Sequence, residues 1–220
     1  MTPHLLITGG GRGFGRALCA AALAAGWRVS TTLRSGDALP GVTAHRLDLR
    51  DQAGLSALAQ AIGPLDVLIN NAGIIGPSAR AGDPVDAAAF LDVFATNTLA
   101  PLAVTQALLP NLRAAPSGRG RVISVSSQMA WMGYAKSDHI AYRASKAALN
   151  KVMQGLATDL APMGIVAVAI DPGWMRTSMG GPEADHDPAV VAGNLIALAD
   201  RLAPGDSGAF LHADGRRRDW

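Results

Sequence analysis

Seven short apolar runs alternate with longer segments of helical periodicity along this chain. The runs, each predicted to be a strand, are His4 to Thr8, Arg28 to Leu33, Thr43 to Leu47, Asp66 to Asn70, Arg121 to Ser126, Ile165 to Ile170 and Ala209 to Leu211. Helices are predicted near residues 14 to 25, 52 to 62, 86 to 113, 141 to 161 and 188 to 202. Because alternating strands and helices are joined by crossovers, this order favours a parallel sheet covered on both faces. The sequence therefore predicts an α/β protein with a doubly wound Rossmann fold and a sheet of about seven strands.

The composition fits one compact domain that spans residues 1–220. Hydrophobic residues make up 49% of the chain, which is ample for a buried core. The formal net charge is only +2 and the basic residues are scattered, so no nucleic-acid surface is predicted, and residues 216–218 are interpreted as a solvated tail. Cys19, the single cysteine, excludes an internal disulfide and is interpreted as a core residue. No residue pattern suggests a metal site.

The first residues lead directly into a predicted strand, with no basic segment and no long apolar stretch before it. No run of 18 apolar residues occurs elsewhere in the chain. We therefore expect a cytoplasmic protein with no membrane partner.

A glycine-rich segment joins the first predicted strand to the first predicted helix. Gly9, Gly13 and Gly15 follow the strand, and an alanine-rich helical run follows them. Glycines let backbone N–H groups approach a pyrophosphate, and the N-terminus of a helix favours an anion. The alternative is a turn before a packed helix, and Phe14 and Leu18 do recur at helical spacing. A plain turn does not need the three glycines together, so the segment favours a dinucleotide site.

Tyr142 and Lys146 lie one helical turn apart in another predicted helix. Residues at i and i+4 share a helix face and lie roughly 6 Å apart along its axis, so both side chains could reach one ligand. A tyrosine pKa of about 10 means that about 4 kcal/mol of differential stabilisation is needed for its phenolate at neutral pH. A neighbouring ammonium can supply much of that stabilisation. The alternative is a surface helix with an ordinary tyrosine and lysine.

Asn97 precedes Pro101 by four positions in the predicted helix 86–113. Proline has no N–H and its ring presses against the carbonyl at i−4, so the Asn97 carbonyl is left without a helical partner. That carbonyl is free to hold a water. A kinked packing helix is the alternative interpretation.

Four motifs directly follow predicted strands. They are Gly9 to Gly15, Asn70 to Gly73, Ser126 with Ser127, and Pro172 with Gly173. Ligands of doubly wound sheets bind beyond the carboxyl ends of the strands. The topology alone therefore predicts that the four motifs meet at one edge of the sheet.

Six motifs, in this order and at close to these distances, resemble the short-chain dehydrogenase/reductase family over nearly the whole chain. They are Thr8-Gly9-x-x-x-Gly13-x-Gly15, Asn70-Asn71-Ala72-Gly73, Asn97, Ser126-Ser127, Tyr142-x-x-x-Lys146 and Pro172-Gly173. The segments 171–182 and 206–211, with the terminal tryptophan, are similar to the sniffer-like or C-factor-like branch, which is close to carbonyl reductases.

The resemblance implies a catalytic set of Asn97, Ser127, Tyr142 and Lys146. Ser127 would polarise the substrate oxygen and Tyr142 would transfer its proton. Lys146 would hold the nicotinamide ribose and lower the tyrosine pKa. Asn97 would support a water-linked proton relay to Lys146.

The position of the serine leaves an alternative open. Ser127 precedes Tyr142 by fifteen positions, whereas many relatives have thirteen, a count that falls on Met129. A thioether cannot polarise a carbonyl, so we interpret the difference as a longer loop. Ser126 is the alternative serine.

The predicted strand 28–33 should lie beside the adenosine ribose, where an acidic residue would bind the 2′-hydroxyl of NAD. In this chain the place is filled by Leu33, Arg34 and Ser35. Arg34 and Arg12 suit the 2′-phosphate of NADP. The alternative is that both are solvated surface residues. Asp37 lies close enough in sequence that NAD remains an alternative cofactor. We favour NADP.

The resemblance assigns the rest of the cofactor site to residues that follow the strands. Besides Phe14 in the glycine segment they are Asp48 and Leu49 near the adenine, Asn71, Ala72 and Gly73 along the cofactor, and Pro172, Gly173, Trp174 and Thr177 near the nicotinamide. Asn70 and Asn71 could instead tie adjacent strand ends together.

The substrate wall is predicted in the loop after Ser127 and in the segment after Pro172-Gly173. Its residues are Gln128, Met129, Trp131, Met132, His139, Trp174, Met175 and Met179. They suit a small apolar or aromatic molecule, although Met and Trp are also ordinary loop anchors and His139 could be a surface residue. The segment 174–188 could be a lid ordered by ligand.

These features predict an NADP-dependent oxidoreductase that interconverts a carbonyl compound and its alcohol by hydride transfer. The rival from another class is a non-catalytic NAD(P)-binding redox sensor or signalling protein, which would need only the glycine loop and the arginines. Epimerase or dehydratase chemistry is typical of longer relatives. The helices near 86–113 and 141–161 resemble those through which the family pairs, which predicts a homodimer or homotetramer.

Overall fold

The computed structural model describes residues 2–220, which form one eight-stranded sheet in the order β3-β2-β1-β4-β5-β6-β7-β8. The strands are β1 His4–Thr8, β2 Arg28–Leu33, β3 Thr43–Arg46, β4 Val67–Asn70, β5 Arg121–Val125, β6 Val166–Asp171, β7 Phe210–His212 and β8 Arg217–Arg218. β1 to β7 are parallel to their neighbours, and β8 runs antiparallel to β7. The strand order reverses beside β1, which is where doubly wound sheets open a ligand crevice. The predicted Rossmann fold is confirmed.

The eighth strand corrects the interpretation of residues 216–218 as a solvated tail. The Asp214-Gly215 pair turns the chain, with the Gly215 N–H donating to His212 O at 2.9 Å and the His212 N–H donating to Arg216 O at 2.8 Å. Asp-Gly between two strands is a strong hairpin signal, and it could have predicted β8 from the sequence. The Arg218 side chain is only 18% exposed as a result.

Seven α-helices cover the two faces of the sheet. They are α1 Gly13–Ala24, α2 Gln52–Ile62, α3 Ala87–Phe94, α4 Ala100–Ala107, α5 Leu109–Arg113, α6 Ile140–Leu160 and α7 Pro188–Arg201. The Asp51, Asp86 and Asp187 side chains accept first-turn N–H groups of α2, α3 and α7. Each such cap stabilises its helix by about 1 kcal/mol.

The helix predicted near 86–113 is not one regular α-helix, because a π turn interrupts its regular geometry near Pro101 and a break at Leu108 precedes Pro110. A π-helical turn, Ala95–Leu99, lies between α3 and α4, and the Ala100 N–H donates to Ala95 O across it. Pro101 has no N–H to continue the α-helical ladder, and Pro110 interrupts it again before α5. The π turn places Asn97 at a break in the helix.

Alternate residues of the buried strands pack on opposite faces of the sheet. Leu5 and Ile7 belong to the core beneath α1 and α7, whereas Leu6 belongs to the core beneath α2, α4 and α6. All three are 0% exposed. Strands covered on both faces are typical of parallel sheets, and each fully buried leucine or isoleucine contributes roughly 1.5–3 kcal/mol. This double-sided packing fixes the sheet edge that carries the motifs.

By length and composition alone, the 21 residues Ala87–Ala107 could cross a membrane, with a hydropathy of 1.5 in the most apolar window. One third of that window, 33%, is buried in the fold. Core and interface helices of other proteins meet the same criterion, so length and composition do not decide between these roles.

Candidate active site

The motifs predicted to converge do meet at the carboxyl ends of the strands. The Thr8 hydroxyl, at the end of β1, accepts the N–H groups of Asn71 and Ala72 at 3.0 Å each. The Asn71 side-chain amide donates to Thr8 O at 2.9 Å. These bonds join the end of β1 to the loop after β4. Asn71 therefore has the structural role that was the alternative to cofactor binding.

The glycine segment is packed too closely for side chains. Gly9 has a φ of +73°, a conformation that favours glycine. A Cβ on Gly15 would collide with the Gly9 carbonyl, and a Cβ on Gly13 would lie 3.8 Å from Thr177 Cβ. The structure therefore brings Thr177, which follows β6, to the glycine loop.

The N-terminus of α1 differs from those of α2, α3 and α7. Its N-cap residue, Arg12, is extended and makes no side-chain hydrogen bond to the first turn. The first N–H groups of α1 therefore have no side-chain acceptor, beside a loop whose glycines expose the backbone. This arrangement fits a pyrophosphate, which would accept those N–H groups.

The end of β2 is basic. Arg12 and Arg34 are exposed, and within residues 2–220 neither forms an ion pair with a carboxylate. Asp37 is the acidic residue that left NAD as an alternative cofactor. Its Oδ1 lies 3.3 Å from Arg46 Nη2 in an exposed ion pair. Two arginines are therefore available to a 2′-phosphate, and Asp37 is engaged by Arg46.

Asp48 takes part in a network that the sequence analysis missed. Arg50 donates to both Asp48 oxygens, at 3.3 and 3.2 Å, and to Asp92 Oδ1 at 2.6 Å. The Arg50 hydrogen bonds hold the pKa of Asp48 below its usual range, and the charge of Arg34 adds to the effect. Asp48 and its neighbour Leu49 thus lie in a turn fixed by Arg50 rather than in a free loop.

Helix α6 carries Tyr142 and Lys146 on one face, as predicted. Lys146 Nζ lies 5.8 Å from the centre of the Tyr142 ring and donates to Val125 O at 2.7 Å. Lys146 is 4% exposed, and its desolvation lowers the pKa of the ammonium to about 8. The ammonium is therefore held between the end of β5 and the phenol.

The pKa of Tyr142 moves opposite to the direction expected from sequence. Although the residue remains partly exposed, desolvation of its phenol raises the pKa to about 12. A hydrogen bond with Ser127 acts in the lowering direction, and the charge of Asp171 raises the pKa further. Burial and the Asp171 charge outweigh the effect of Ser127, so the raised pKa favours the neutral phenol at pH 7.

Asn97 is fully buried and its side chain is engaged at both ends. Its Oδ1 accepts the Ile74 N–H at 2.9 Å, and its Nδ2 donates to Ile74 O at 2.8 Å and to Ser145 Oγ at 3.1 Å. A Cβ on Gly73 would lie 3.1 Å from Asn97 Oδ1 and 3.6 Å from Lys146 Nζ. The side chain thus fixes the loop after β4 against α6.

The two serines after β5 have different surroundings. Ser126 is 2% exposed and donates to Asn150 Oδ1 at 2.6 Å. Ser127 is partly exposed, accepts the Met129 N–H at 3.1 Å, and its hydroxyl acts to lower the pKa of the neighbouring Tyr142 phenol. The geometry therefore favours Ser127 over Ser126 as the residue that faces a substrate oxygen.

The predicted wall residues lie in two separate segments. Gln128 and Met129 form a 3₁₀ turn with Ala130, which Trp131 follows, and His139 is the N-cap of α6 with a φ of 49°. In the second segment Trp174 and Met179 are 43% and 46% exposed. Met132 is 80% exposed and lies outermost of this set.

Hydrogen bonds within the segment 174–188 hold its two ends together. The His186 N–H donates to Trp174 O at 3.0 Å, the Arg176 N–H donates to His186 O at 2.9 Å, and Trp174 Nε1 donates to Gly180 O at 2.8 Å. A β-bridge joins Met175 to His186. The predicted lid is therefore a hydrogen-bonded loop in this structure.

Comparison with known proteins decides the family. A family model described as short chain dehydrogenase matches residues 3–188. The chain belongs to the short-chain dehydrogenase family. C-signal of Myxococcus xanthus is 42% identical over 160 residues, which cover 72% of this chain and 94% of that protein.

Solved structures place this short-chain dehydrogenase beside carbonyl reductases. The carbonyl reductase Sniffer of D. melanogaster superposes with a TM-score of 0.93 at 31% identity, covering 100% of both chains. An NADPH-bound carbonyl reductase from chicken fatty liver superposes with a TM-score of 0.89 at 28% identity, covering 100% of this chain and 99% of that one. The resemblance to the sniffer-like and C-factor-like branch is confirmed, and the protein is an oxidoreductase.

Three residues that surround the predicted catalytic set of this short-chain dehydrogenase were not predicted from the sequence. Ser145 and Asn150 support Asn97 and Ser126 from α6. Asp171, at the end of β6, is 2% exposed and influences Tyr142. Ser145 and Asn150 follow Tyr142 by three and eight positions on one helix. This spacing could have placed them on the same side of the helix as Tyr142.

Proposed function

We propose that this dehydrogenase interconverts a carbonyl compound and its alcohol with NADP(H), using Tyr142 as the proton donor and acceptor. One observation supports the proposal above the others. Ser127, Tyr142, Lys146 and Asn97 meet at the same edge of the sheet as an uncapped helix N-terminus and its glycine loop.

When bound, NADPH supplies the hydride, and the chain's own groups handle the oxygen and its proton. The Ser127 hydroxyl hydrogen bonds to the carbonyl oxygen and polarises it. Tyr142 donates its proton to that oxygen as negative charge develops. Lys146 holds the ribose and, through the Asn97 carbonyl and water, returns the proton to Tyr142.

The pKa of Tyr142 favours reduction in the free protein. The neutral phenol, which is the form that donates a proton, predominates at pH 7 because the pKa is raised to about 12. Alcohol oxidation needs the phenolate, which the raised pKa disfavours at pH 7. Oxidation should therefore need alkaline conditions or added positive charge beside the phenol.

NADP is proposed over NAD because of the charges at the end of β2. Arg12 and Arg34 are exposed there, and Asp37 is paired with Arg46. Arginine binds phosphate with bidentate, charge-assisted hydrogen bonds. The chicken carbonyl reductase that superposes on this chain binds NADPH.

The substrate is proposed to be a small apolar or aromatic carbonyl compound. Trp131, Trp174 and Met179 offer apolar, partly exposed surface around the predicted oxygen position. These three apolar side chains suit a weakly polar ligand.

A signalling role is the second candidate, because the chain is 42% identical to a protein named C-signal. A signalling protein or redox sensor needs the cofactor site but not the proton-transfer groups. The intact arrangement of Ser127, Tyr142 and Lys146 favours catalysis.

A panel of aliphatic and aromatic ketones and aldehydes, scored by NADPH absorbance, tests the proposed function. We expect turnover with at least one apolar carbonyl compound and little with NADH. NADPH binding without turnover on the whole panel would favour the signalling role.

We also propose a homodimer or homotetramer that pairs through α3, α4 and α6. Leu91 and Leu99 are 66% and 60% exposed on this segment, a cost that an interface would remove. Light scattering at micromolar concentration should give a mass of at least twice 22.5 kDa. A particle of monomer mass would contradict the proposal.

A further inference from the structure

The last strand brings an arginine against the candidate site. Arg218 Nη1 lies 3.1 Å from Asp171 Oδ2, and the side chains are 18% and 2% exposed. Asp171 ends β6 directly before Pro172, and its other oxygen, Oδ1, accepts the Gly173 N–H at 3.0 Å. One carboxylate therefore joins the C-terminal strand to the turn predicted to border the nicotinamide.

The same guanidinium stacks on the substrate loop. Arg218 Cζ lies 5.3 Å from the centre of the Trp131 ring and 5.8 Å from that of Phe210, within cation–π range. Phe210 stacks in turn on Trp220, with ring centres 5.5 Å apart. The loop that begins at Ser127 is thus held against the C-terminal strand by a planar cation.

Packing alone does not explain a charge at this position. Desolvating a guanidinium is costly, and Arg218 Nε is buried with no hydrogen-bond partner among residues 2–220. An apolar side chain would fill the space against two aromatic rings without that cost. The carboxylate of Asp171 supplies the reason for the charge.

We propose that Arg218 is a positioning residue of the active site, which neutralises the Asp171 carboxylate and holds Trp131 on the substrate side. The proposal rests on the proposed function, because it assigns Arg218 to the carbonyl site. On this proposal Arg218 is not part of a solvated tail, and the C-terminal hairpin of β7 and β8 supports the active site.

Arg218 would influence the Tyr142 phenol by neutralising the charge of Asp171. Burial is the main reason that the pKa of Tyr142 is raised, a hydrogen bond with Ser127 lowers it, and the Asp171 charge raises it further. The charged or titratable groups on this path are Lys146 from α6, Asp171 from β6, His212 from β7 and Arg218 from β8. His212 Nδ1 lies 3.9 Å from Asp171 Oδ2, too far to replace the arginine.

Arg218→Met tests both parts, because it keeps bulk and removes the charge and the planar cation. We expect KM for the carbonyl substrate to rise about tenfold as Trp131 loses its stacking partner. In alcohol oxidation at saturating NADP, the pH of half-maximal kcat/KM for the alcohol should rise by about one unit, because an uncompensated Asp171 disfavours the phenolate. Arg217→Met is the matched control, since Arg217 is exposed and its side chain donates one hydrogen bond within residues 2–220, to the Gly205 carbonyl at 2.9 Å.

Two further variants separate charge from stacking and keep the test valid if Arg218→Met is unstable. Arg218→Lys keeps the charge, so it should restore the oxidation pH profile but leave KM raised. Asp171→Asn combined with Arg218→Met removes both charges and should also restore the profile. A raised pH profile in the double variant would overturn the neutralising role, as would Arg218→Met behaving like Arg217→Met.

Tryptic cleavage after Lys136, followed by mass spectrometry, tests the positioning without any turnover. Lys136 is exposed in the loop between Trp131 and α6. Arg218→Met should speed this cleavage several-fold, and Arg217→Met should not. If the wild type reduces no carbonyl compound, the proposed function fails, yet the cleavage still decides whether Arg218 holds the loop; equal cleavage in all variants would overturn that role.

Discussion

The proposed cofactor side and the proposed substrate side of the site are built in different ways. The cofactor side, from Gly9 to Gly15, depends on backbone shape: a positive φ at Gly9, a Cβ-free contact at Gly15 and an uncapped helix N-terminus. The substrate side depends on side chains that come from distant parts of the chain, such as Trp131, Asp171 and Arg218. Local motifs specify the first kind of site, whereas only the folded topology assembles the second.

The serine pair gives the largest expected contrast on the substrate side. Ser127→Ala should lower kcat by roughly 10²–10³, the loss typical of one donor to a developing oxyanion. Ser126→Ala should leave kcat nearly unchanged, but it leaves Asn150 unsatisfied and should lower the free energy of unfolding by about 1–3 kcal/mol. Steady-state kinetics and urea denaturation measure the two effects. The reverse pattern would move the catalytic role to Ser126.

Arg34→Ala tests the charge on the cofactor side. Loss of a charged hydrogen bond of about 1.5–3 kcal/mol should weaken NADP binding roughly ten- to a hundredfold. NAD binding should barely change, and Arg113→Ala, an exposed arginine in the last turn of α5, should affect neither cofactor. Titration of both cofactors measures this, and an equal loss for NADP and NAD would mean that Arg34 does not bind the 2′-phosphate.

Lys146→Met should change the pH dependence of stability by a smaller amount. Burial lowers the pKa of Lys146 from 10.5 to about 8, so between these pH values the unfolded chain binds more protons than the folded one. The wild type should therefore gain about 2 kcal/mol relative to the variant as the pH rises from 7 to 10. Urea denaturation at both pH values checks this. A constant difference between the two proteins would mean that the folded lysine titrates normally.

Sequence reasoning recovered the regular part of this fold and the polar residues of its motifs. It predicted the parallel sheet and the convergence of four loops, because strand order and strand ends follow from the apolar pattern. It missed the π turn beside Asn97, although Pro101 was the visible cause. It also missed Arg218, because a pair between residues 171 and 218 leaves no periodic signal.

The direction of the Tyr142 pKa shift also could not be predicted from the sequence. Spacing predicted that Lys146 would approach Tyr142, and the two do lie 5.8 Å apart, measured from Nζ to the ring centre. Spacing could not predict how deeply the phenol would be buried, and burial decides the sign of the shift.

Tyr142→Phe tests the central claim most directly. The change removes one hydroxyl and keeps the ring, so NADPH affinity and the free energy of unfolding should stay close to those of the wild type. Turnover of the carbonyl substrate should fall by 10²–10⁴, the range typical of losing a positioned general acid. Stopped-flow or steady-state NADPH oxidation, with NADPH titration on the same protein, gives both numbers. A Tyr142→Phe protein that binds NADPH and reduces its substrate at the wild-type rate would contradict the account.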